Sequence, residues 1–123
     1  MKLTAFAASV ALTLMAFGNA AFAAPPQMMD SFPKASAVMD GSETQFFVRF
    51  DRPGDHRNAQ LQITQDGHVL QTLTPRLESE PNTIYSGARR LAPGSYELHW
   101  NVRSMTDREV SNGVIHFTVR APA

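Results

Sequence analysis

The sequence predicts an all-β fold, an antiparallel sandwich of about seven short strands, and three observations point to that class. Apolar residues recur with a period of two along most of residues 24–123, which is typical of half-buried strands. Turn signals such as Asp66-Gly67 and Pro93-Gly94 separate these runs. No window carries a convincing amphipathic helical pattern.

The predicted strands follow one another along the chain. In residues 44–50, Phe46, Val48 and Phe50 share one face. Residues 59–64 and 69–73 form a hairpin around the tight turn at Asp66-Gly67. Residues 83–85 are a short strand, residues 94–103 a longer one, and residues 114–119 the last. Short strands of this number and spacing favour an immunoglobulin-like β-sandwich.

Trp100 lies on the apolar face of the strand over residues 94–103, together with Tyr96, Leu98 and Val102. Glu97 and His99 lie on the opposite face. Because large aromatic side chains on an apolar strand face belong to the core, we expect Trp100 to be buried between the two sheets.

Residues 1–23 are predicted to be a cleaved secretory signal peptide. Lys2 precedes an apolar run from Leu3 to Phe17, and Ala21-Phe22-Ala23 has the small-x-small pattern of a cleavage site. That run is about 15 residues long, shorter than the roughly 20 that a membrane span needs. We therefore expect residues 24–123 to be one exported domain with no stable membrane insertion.

Composition excludes several classes of function. The chain has no cysteine, which excludes disulfides, a thiolate nucleophile and cysteine-ligated metal sites. Its 11 basic and 11 acidic residues give no net charge, so we expect no nucleic-acid partner. The sequence contains no motif of an activated nucleophile, a zinc protease or a phosphate loop, so we expect no enzymatic activity.

Five segments, in order and spanning nearly all of residues 24–123, resemble the CopC-like periplasmic copper resistance proteins. Residues 31–36 are similar to the family's opening Ser-x-Pro-Ala-x-Gly, and residues 46–50 to its Val-x-Leu-x-Phe strand. Residues 66–70 are similar to its Asp-Gly-x-x-Val hairpin, residues 94–104 to its Trp-x-Val-x-Ser strand, and residues 113–119 to its closing Gly-x-Phe-x-Phe-x-Val strand. This resemblance implies an immunoglobulin-like sandwich that binds a copper ion, Cu(I) or Cu(II), in the periplasm. It also implies a partner, an inner-membrane copper transport protein.

The resemblance also implies where a Cu(II) site would lie. The family's ligand at the mature N-terminus is a histidine, and Pro25 takes that position here. In the loop after Trp100, counting back from Gly113 aligns Asp107 with the family's aspartate and Glu109 with its histidine, whereas counting forward from Ser104 gives Thr106 and Arg108. Both imidazoles are missing in either alignment, and Cu(II) prefers nitrogen ligands. We expect no tight Cu(II) centre there.

Two other groups of donors are candidates for metal binding. Met28, Met29 and Met105 come together if the family's fold holds, with Asp107 nearby as a harder donor, and thioethers suit Cu(I). The alternative is that the methionines are apolar filler. His99 and His116 lie outward on neighbouring strands. A register whose paired residue numbers sum to 215 would place them face to face, and sums of 213 or 217 would make them diagonal neighbours. Facing imidazoles would suit Cu(II), Zn(II) or Ni(II), and the alternative is two solvated histidines.

Two functions follow from these observations. The first is a periplasmic copper-handling protein that binds copper weakly through altered ligands or delivers it to a membrane partner. The second is a metal-free immunoglobulin-like interaction module that has kept the sandwich and lost the copper site. The resemblance favours the first, and the missing imidazoles favour the second.

Overall fold

The structure, a computed structural model, describes residues 24–77 and 80–121. The predicted signal peptide, residues 1–23, lies outside the described residues. The described residues form eight strands and no helix, which confirms the all-β prediction. In chain order the strands are β1 (Met28–Phe32), β2 (Ala37–Asp40), β3 (Gln45–Phe50), β4 (Gln60–Gln65), β5 (His68–Leu73), β6 (Thr83–Gly87), β7 (Gly94–Arg103) and β8 (Val110–Arg120).

The strands form two sheets. One has three strands in the order β1-β3-β6, and the other has five in the order β2-β8-β7-β4-β5. Neighbouring strands are antiparallel except β2, which runs parallel to β8. Between β7 and β8 the register pairs Glu97 with His116 and His99 with Val114. The segment of residues 24–77 and 80–121 contains no helix long and apolar enough to cross a bilayer.

The core lies between the two sheets and is built from the period-two residues of the strands. Aromatic rings hold its centre: Phe46 of β3 meets Phe117 of β8 edge to face at 5.9 Å, and Tyr96 of β7 stacks on Phe117 at 5.7 Å. Apolar burial of this kind is the main force that stabilises a sandwich without disulfides. The core consists of Met39, Phe46, Val48, Phe50, Ala59, Leu61, Ile63, Leu73, Ile84, Leu91, Tyr96, Leu98, Val102, Ile115, Phe117 and Val119.

The six predicted strands are all present, with ends that differ by a few residues. The last extends back to Val110, four residues earlier than predicted. At the predicted hairpin, Asp66 and Gly67 both have positive φ angles, 51° and 81°, as the tight turn requires. The strands β1 and β2 were not predicted. Each of them buries only one side chain, so neither shows the alternation that identifies a strand in the sequence.

Trp100 was expected to be buried between the sheets; it packs against the core and is half-buried. Its ring packs against Phe50 of the facing sheet, with centroids 6.3 Å apart, and its Nε1 donates to Ser111 Oγ at 3.2 Å. Gly113 lies directly opposite on β8, and the indole extends across it. The ring therefore reaches past the core to a groove at one end of the sandwich, and one side of it remains exposed.

Candidate functional site

The residues that follow β3 hold together the two segments in which the resemblance implies a metal site. At the start of the described chain, the Asp51 amide donates to the Gln27 carbonyl at 3.0 Å, and Met28 pairs with Phe50. On the other side, the Met105 amide donates to the Pro53 carbonyl at 3.0 Å. The N-terminal segment and the loop of residues 104–109 therefore meet on one short stretch of chain.

All three candidate methionines are exposed at this end of the sandwich. The exposed fractions are 37% for Met28, 58% for Met29 and 62% for Met105. The β1–β3 register shifts between Met28 and Asp30, which leaves Met29 as the extra residue of a β-bulge. By contrast, Met39 is buried in the core. The core therefore does not account for the three exposed thioethers.

Arg52 connects the N-terminal segment to the loop. Its Nη1 donates to Asp107 Oδ2 at 2.8 Å and to the Ala24 carbonyl at 2.8 Å. Its Nε and Nη2 donate to the two oxygens of Asp51 at 3.0 and 3.2 Å. A single guanidinium thus binds two carboxylates and one carbonyl, with the planar fork geometry that suits arginine.

These contacts set the protonation states of Asp51, Arg52 and Asp107, which together form the cluster around Arg52. The backbone amide of Glu109, which donates to Asp107 at 3.1 Å, is the largest cause that lowers the pKa of Asp107, and Arg52 lowers it further. The hydrogen bond from Arg52 is the largest cause that lowers the pKa of Asp51. Both carboxylates are therefore ionised at neutral pH, and with Arg52 protonated the three side chains carry one net negative charge.

The loop of residues 104–109 is closed by hydrogen bonds that its own backbone and the side chain of Ser104 make. The Ser104 Oγ accepts from the amides of Thr106 and Asp107, and the Ser104 amide donates to the Glu109 carbonyl at 2.8 Å. Arg108 adopts a positive φ of 62°. The loop thus presents Asp107 to Arg52, and the described contacts of Glu109 are those of its backbone.

A groove of about 540 Å³ opens beside these residues. Met28 and the exposed side of Trp100 line it, together with residues 25–27 and 110–112. Pro25, which takes the position of the family's N-terminal histidine, is in this lining but has no side-chain donor. The groove offers one thioether and no imidazole.

The second candidate pair lies on the outer face of the five-stranded sheet. The numbers of paired residues on β7 and β8 sum to 213, so His99 and His116 are diagonal neighbours and the face-to-face arrangement is wrong. Glu97 lies between them: its Oε1 is 3.3 Å from His99 Nε2, and its Oε2 is 3.5 Å from His116 Nδ1. Thr64 of β4 donates to Glu97 Oε1 at 2.9 Å, and this bond is the largest cause that lowers the pKa of Glu97, followed by the hydrogen bond with His99.

Neither group of candidate residues is a preformed metal site. Among residues 24–77 and 80–121, no three histidine, aspartate or glutamate side chains are arranged to hold a metal ion as they stand. Sequence reasoning missed Glu97, although its position two residues from His99 on one strand places both on the same face. It also missed Arg52, whose partner Asp107 is 55 residues away and which no local pattern identifies.

Comparison with known proteins places this fold. A family model described as the CopC domain matches residues 28–120. No curated protein matches the chain. Among solved structures, CopC from Methylosinus trichosporium OB3b superposes with a TM-score of 0.72 at 22% identity, covering 80% of this chain and 96% of that one.

A second solved structure is PcoC, a methionine-rich copper resistance protein from Escherichia coli. It superposes with a TM-score of 0.64 at 20% identity and covers 79% of this chain and 100% of its own. At these identities the structures establish likeness of fold. The family model spans most of the chain, from the start of β1 to the end of β8. The chain therefore belongs to the CopC domain family.

Proposed function

We propose that the protein is a periplasmic copper-handling protein that binds Cu(I) through Met28, Met29 and Met105 at the N-terminal end of the sandwich. The observation that carries the proposal is the exposure of these three thioethers on two segments that meet on the chain after β3. Thioethers are soft donors and suit Cu(I) rather than harder cations. An inner-membrane copper transport protein is the partner that this proposal implies.

The charges around the methionines favour a cation. Asp51, Arg52 and Asp107 together carry one net negative charge, which attracts a monovalent ion to this end of the molecule. Because Arg52 already holds Asp107 at 2.8 Å, the carboxylate acts as a nearby counter-charge, and direct coordination would require Arg52 to move. The proposed site is therefore weak, exposed and open to exchange, which suits transfer of copper to a partner.

One observation favours the alternative, a metal-free interaction module. The Arg52 guanidinium binds both Ala24 and Asp107 and so connects the N-terminal segment to the loop. No bound ion is needed to make that connection. In that case the methionines would be apolar contacts for a protein partner. The two functions differ in whether the thioethers bind copper.

Competition with a chromophoric Cu(I) chelator under anaerobic conditions separates the two functions. The test variant is Met28→Leu, Met29→Leu, Met105→Leu, which keeps side-chain volume and removes the sulfur atoms. The matched control is Met39→Leu, whose side chain is in the core. We expect the wild type and the control to compete measurably with the chelator for Cu(I), and the triple variant to compete less.

The pH dependence of this competition gives a second test. Thioethers do not titrate, so we expect the wild type to bind Cu(I) equally at pH 5 and pH 7, whereas a histidine site would weaken at pH 5. Asp51 and Asp107, the carboxylates beside the methionines, both have a lowered pKa and stay ionised at pH 5. If the triple variant competes as well as the wild type, the thioether site does not exist and the interaction module is the better interpretation.

A further inference from the structure

The outer face of the five-stranded sheet carries a group of nitrogen and oxygen donors that the proposed Cu(I) site does not use. Glu97 of β7 lies directly opposite His116 of β8, and His99 follows two residues later on the same face of β7. The carboxylate is within 3.3 Å of His99 Nε2 and 3.5 Å of His116 Nδ1. One carboxylate thus has an imidazole on each side.

These separations suit a first-row divalent cation. Nitrogen and oxygen ligands lie about 2.0 to 2.2 Å from such an ion, so neighbouring donor atoms of a tetrahedral site are roughly 3.3 to 3.6 Å apart. The two nitrogen–oxygen distances fall in this range, but each runs to a different oxygen of Glu97, so binding one ion requires a histidine side chain to turn. The donor set, two imidazoles and one carboxylate, is one that Zn(II) and Cu(II) accept with water in the remaining positions.

A third strand holds the carboxylate in place. Thr64 of β4 is buried, with 6% of its surface exposed, and its hydroxyl donates to Glu97 Oε1 at 2.9 Å. A hydrogen bond of this kind orients a ligating carboxylate and leaves its second oxygen available. The buried hydroxyl is thus a fixed support beneath an otherwise exposed group.

The histidines have the freedom that a metal ion would require. The side chain of His116 is 72% exposed, against 39% for His99. Rotation of His116 meets little packing, so its ring can turn toward an ion held by the other two residues. A groove of about 410 Å³ opens beside His116, and its lining includes two carboxylates, Asp66 and Glu97, and no lysine or arginine. A cation can therefore enter without passing a positive charge.

We propose that Glu97, His99 and His116 bind one divalent cation of the Zn(II) or Cu(II) class, with Thr64 as the positioning residue of the carboxylate. This site is independent of the Cu(I) proposal. Its nitrogen and oxygen donors lie on the outer face of the five-stranded sheet, whereas β1, which carries Met28 and Met29, belongs to the three-stranded sheet. The cation cross-links β7 to β8 through the diagonal pair of histidines.

Nuclear magnetic resonance of the protein without a histidine tag tests the site directly. The chain has four histidines, so each imidazole can be followed as Zn(II) is added. We expect the rings of His99 and His116 to shift together at one equivalent, and the rings of His56 and His68 to stay unchanged. Shifts shared by all four rings, or none below millimolar Zn(II), would overturn the proposal.

Variants supply the second measurement, the affinity for Zn(II) and for Cu(II). His99→Gln, His116→Gln and Glu97→Gln each remove one donor. His68→Gln is the matched control, because His68 is an exposed imidazole at the start of β5, outside the proposed site. Loss of a supporting residue alone typically weakens metal binding about 10- to 100-fold, so loss of a direct ligand should cost at least as much. We expect the control to bind like the wild type. Equal affinity in the His99→Gln, His116→Gln double variant would exclude the site.

Discussion

At the scale of single residues, the pair of Trp100 and Gly113 decides how the end of the sandwich is built. The two residues face each other on β7 and β8, and the absence of a side chain at Gly113 lets the indole extend across the neighbouring strand. A Cβ atom at position 113 would lie 2.5 Å from Trp100 Cη2 and Cζ2. Position 113 must therefore be glycine, because the Trp100 ring lies too close to the backbone there to leave room for a Cβ atom.

We expect Gly113→Ala to destabilise the fold by about 1 to 3 kcal/mol, as overpacking of a filled site does. Urea unfolding followed by fluorescence measures this directly, because Trp100 is the single tryptophan of the chain. Gly87→Ala on β6 is the matched control, since its Cβ would meet its nearest atoms only at 3.9 and 4.0 Å. Equal stability of the two variants would contradict this account of the indole.

Some contacts in the candidate sites can be predicted from the sequence, and others cannot. Glu97 and His99 share a face because strand residues alternate, so their proximity follows from the period of two. Arg52 and Asp107 are brought together by the way two loops cross at one end of the sandwich, and residue types alone do not determine that. The ion pair could therefore be found only in the structure.

Among the strands, the period-two rule succeeds where buried and exposed residues alternate and fails in β1 and β2, where they do not. In β7, buried Tyr96, Leu98 and Val102 alternate with more exposed residues, which makes the strand evident in the sequence. In β1, only Ser31 is buried, so no alternation appears. The alternation of side chains required the numbers of paired residues on β7 and β8 to add up to an odd number, but it did not select one sum. The observed sum of 213 depends on the conformation of the loop at residues 104–109.

The same loop carries a prediction about Cu(II). Because Pro25 and Glu109 replace imidazoles and Arg52 holds Asp107, we expect no tight Cu(II) centre between the N-terminal segment and the loop. Paramagnetic resonance of the His99→Ala, His116→Ala variant with one equivalent of Cu(II) tests this. A stoichiometric, nitrogen-rich spectrum in that variant would show that the loop binds Cu(II) after all.

Removal of Arg52 tests the connection between these segments. We expect Arg52→Gln to speed hydrogen exchange at the amides of Gln27 and Glu109, whose acceptors are the carboxylates of Asp51 and Asp107. Arg49→Gln is the control, because Arg49 pairs with Asp30 on β1 and is not in the cluster. Unchanged exchange at both amides would mean that the backbone alone holds the N-terminal segment and the loop.

At the scale of the whole molecule, stability depends on ionised carboxylates spread over both sheets. The pKa of Asp30 is lowered chiefly by the hydrogen bond from Lys34, that of Asp40 by the hydroxyl of Ser42, and that of Asp55 by the side-chain amide of Asn58. A lowered folded pKa stabilises the native state at pH values above the ordinary value near 3.8, and this contribution disappears as pH falls through the folded pKa.

We therefore expect the free energy of unfolding to decrease as the pH falls below about 4, by a modest amount because these carboxylates are partly exposed. Urea titrations at a series of pH values measure it. Asp55→Asn removes one of the titrating groups, so its unfolding free energy should depend less on pH in the acid range than that of the wild type. A wild-type stability that is the same at pH 5 and pH 3 would refute the account.

The parallel pairing of β2 with β8 has a consequence for how the chain reaches this structure. Ala37 pairs with Phe117, about 80 residues further along the chain, and both strands belong to the five-stranded sheet. During synthesis β2 has no partner until nearly all of the domain has been made. Contacts so distant in sequence slow folding, because the loop must close before the pairing is gained. The domain should therefore acquire its native topology late and in one cooperative step, when β8 pairs with both β2 and β7.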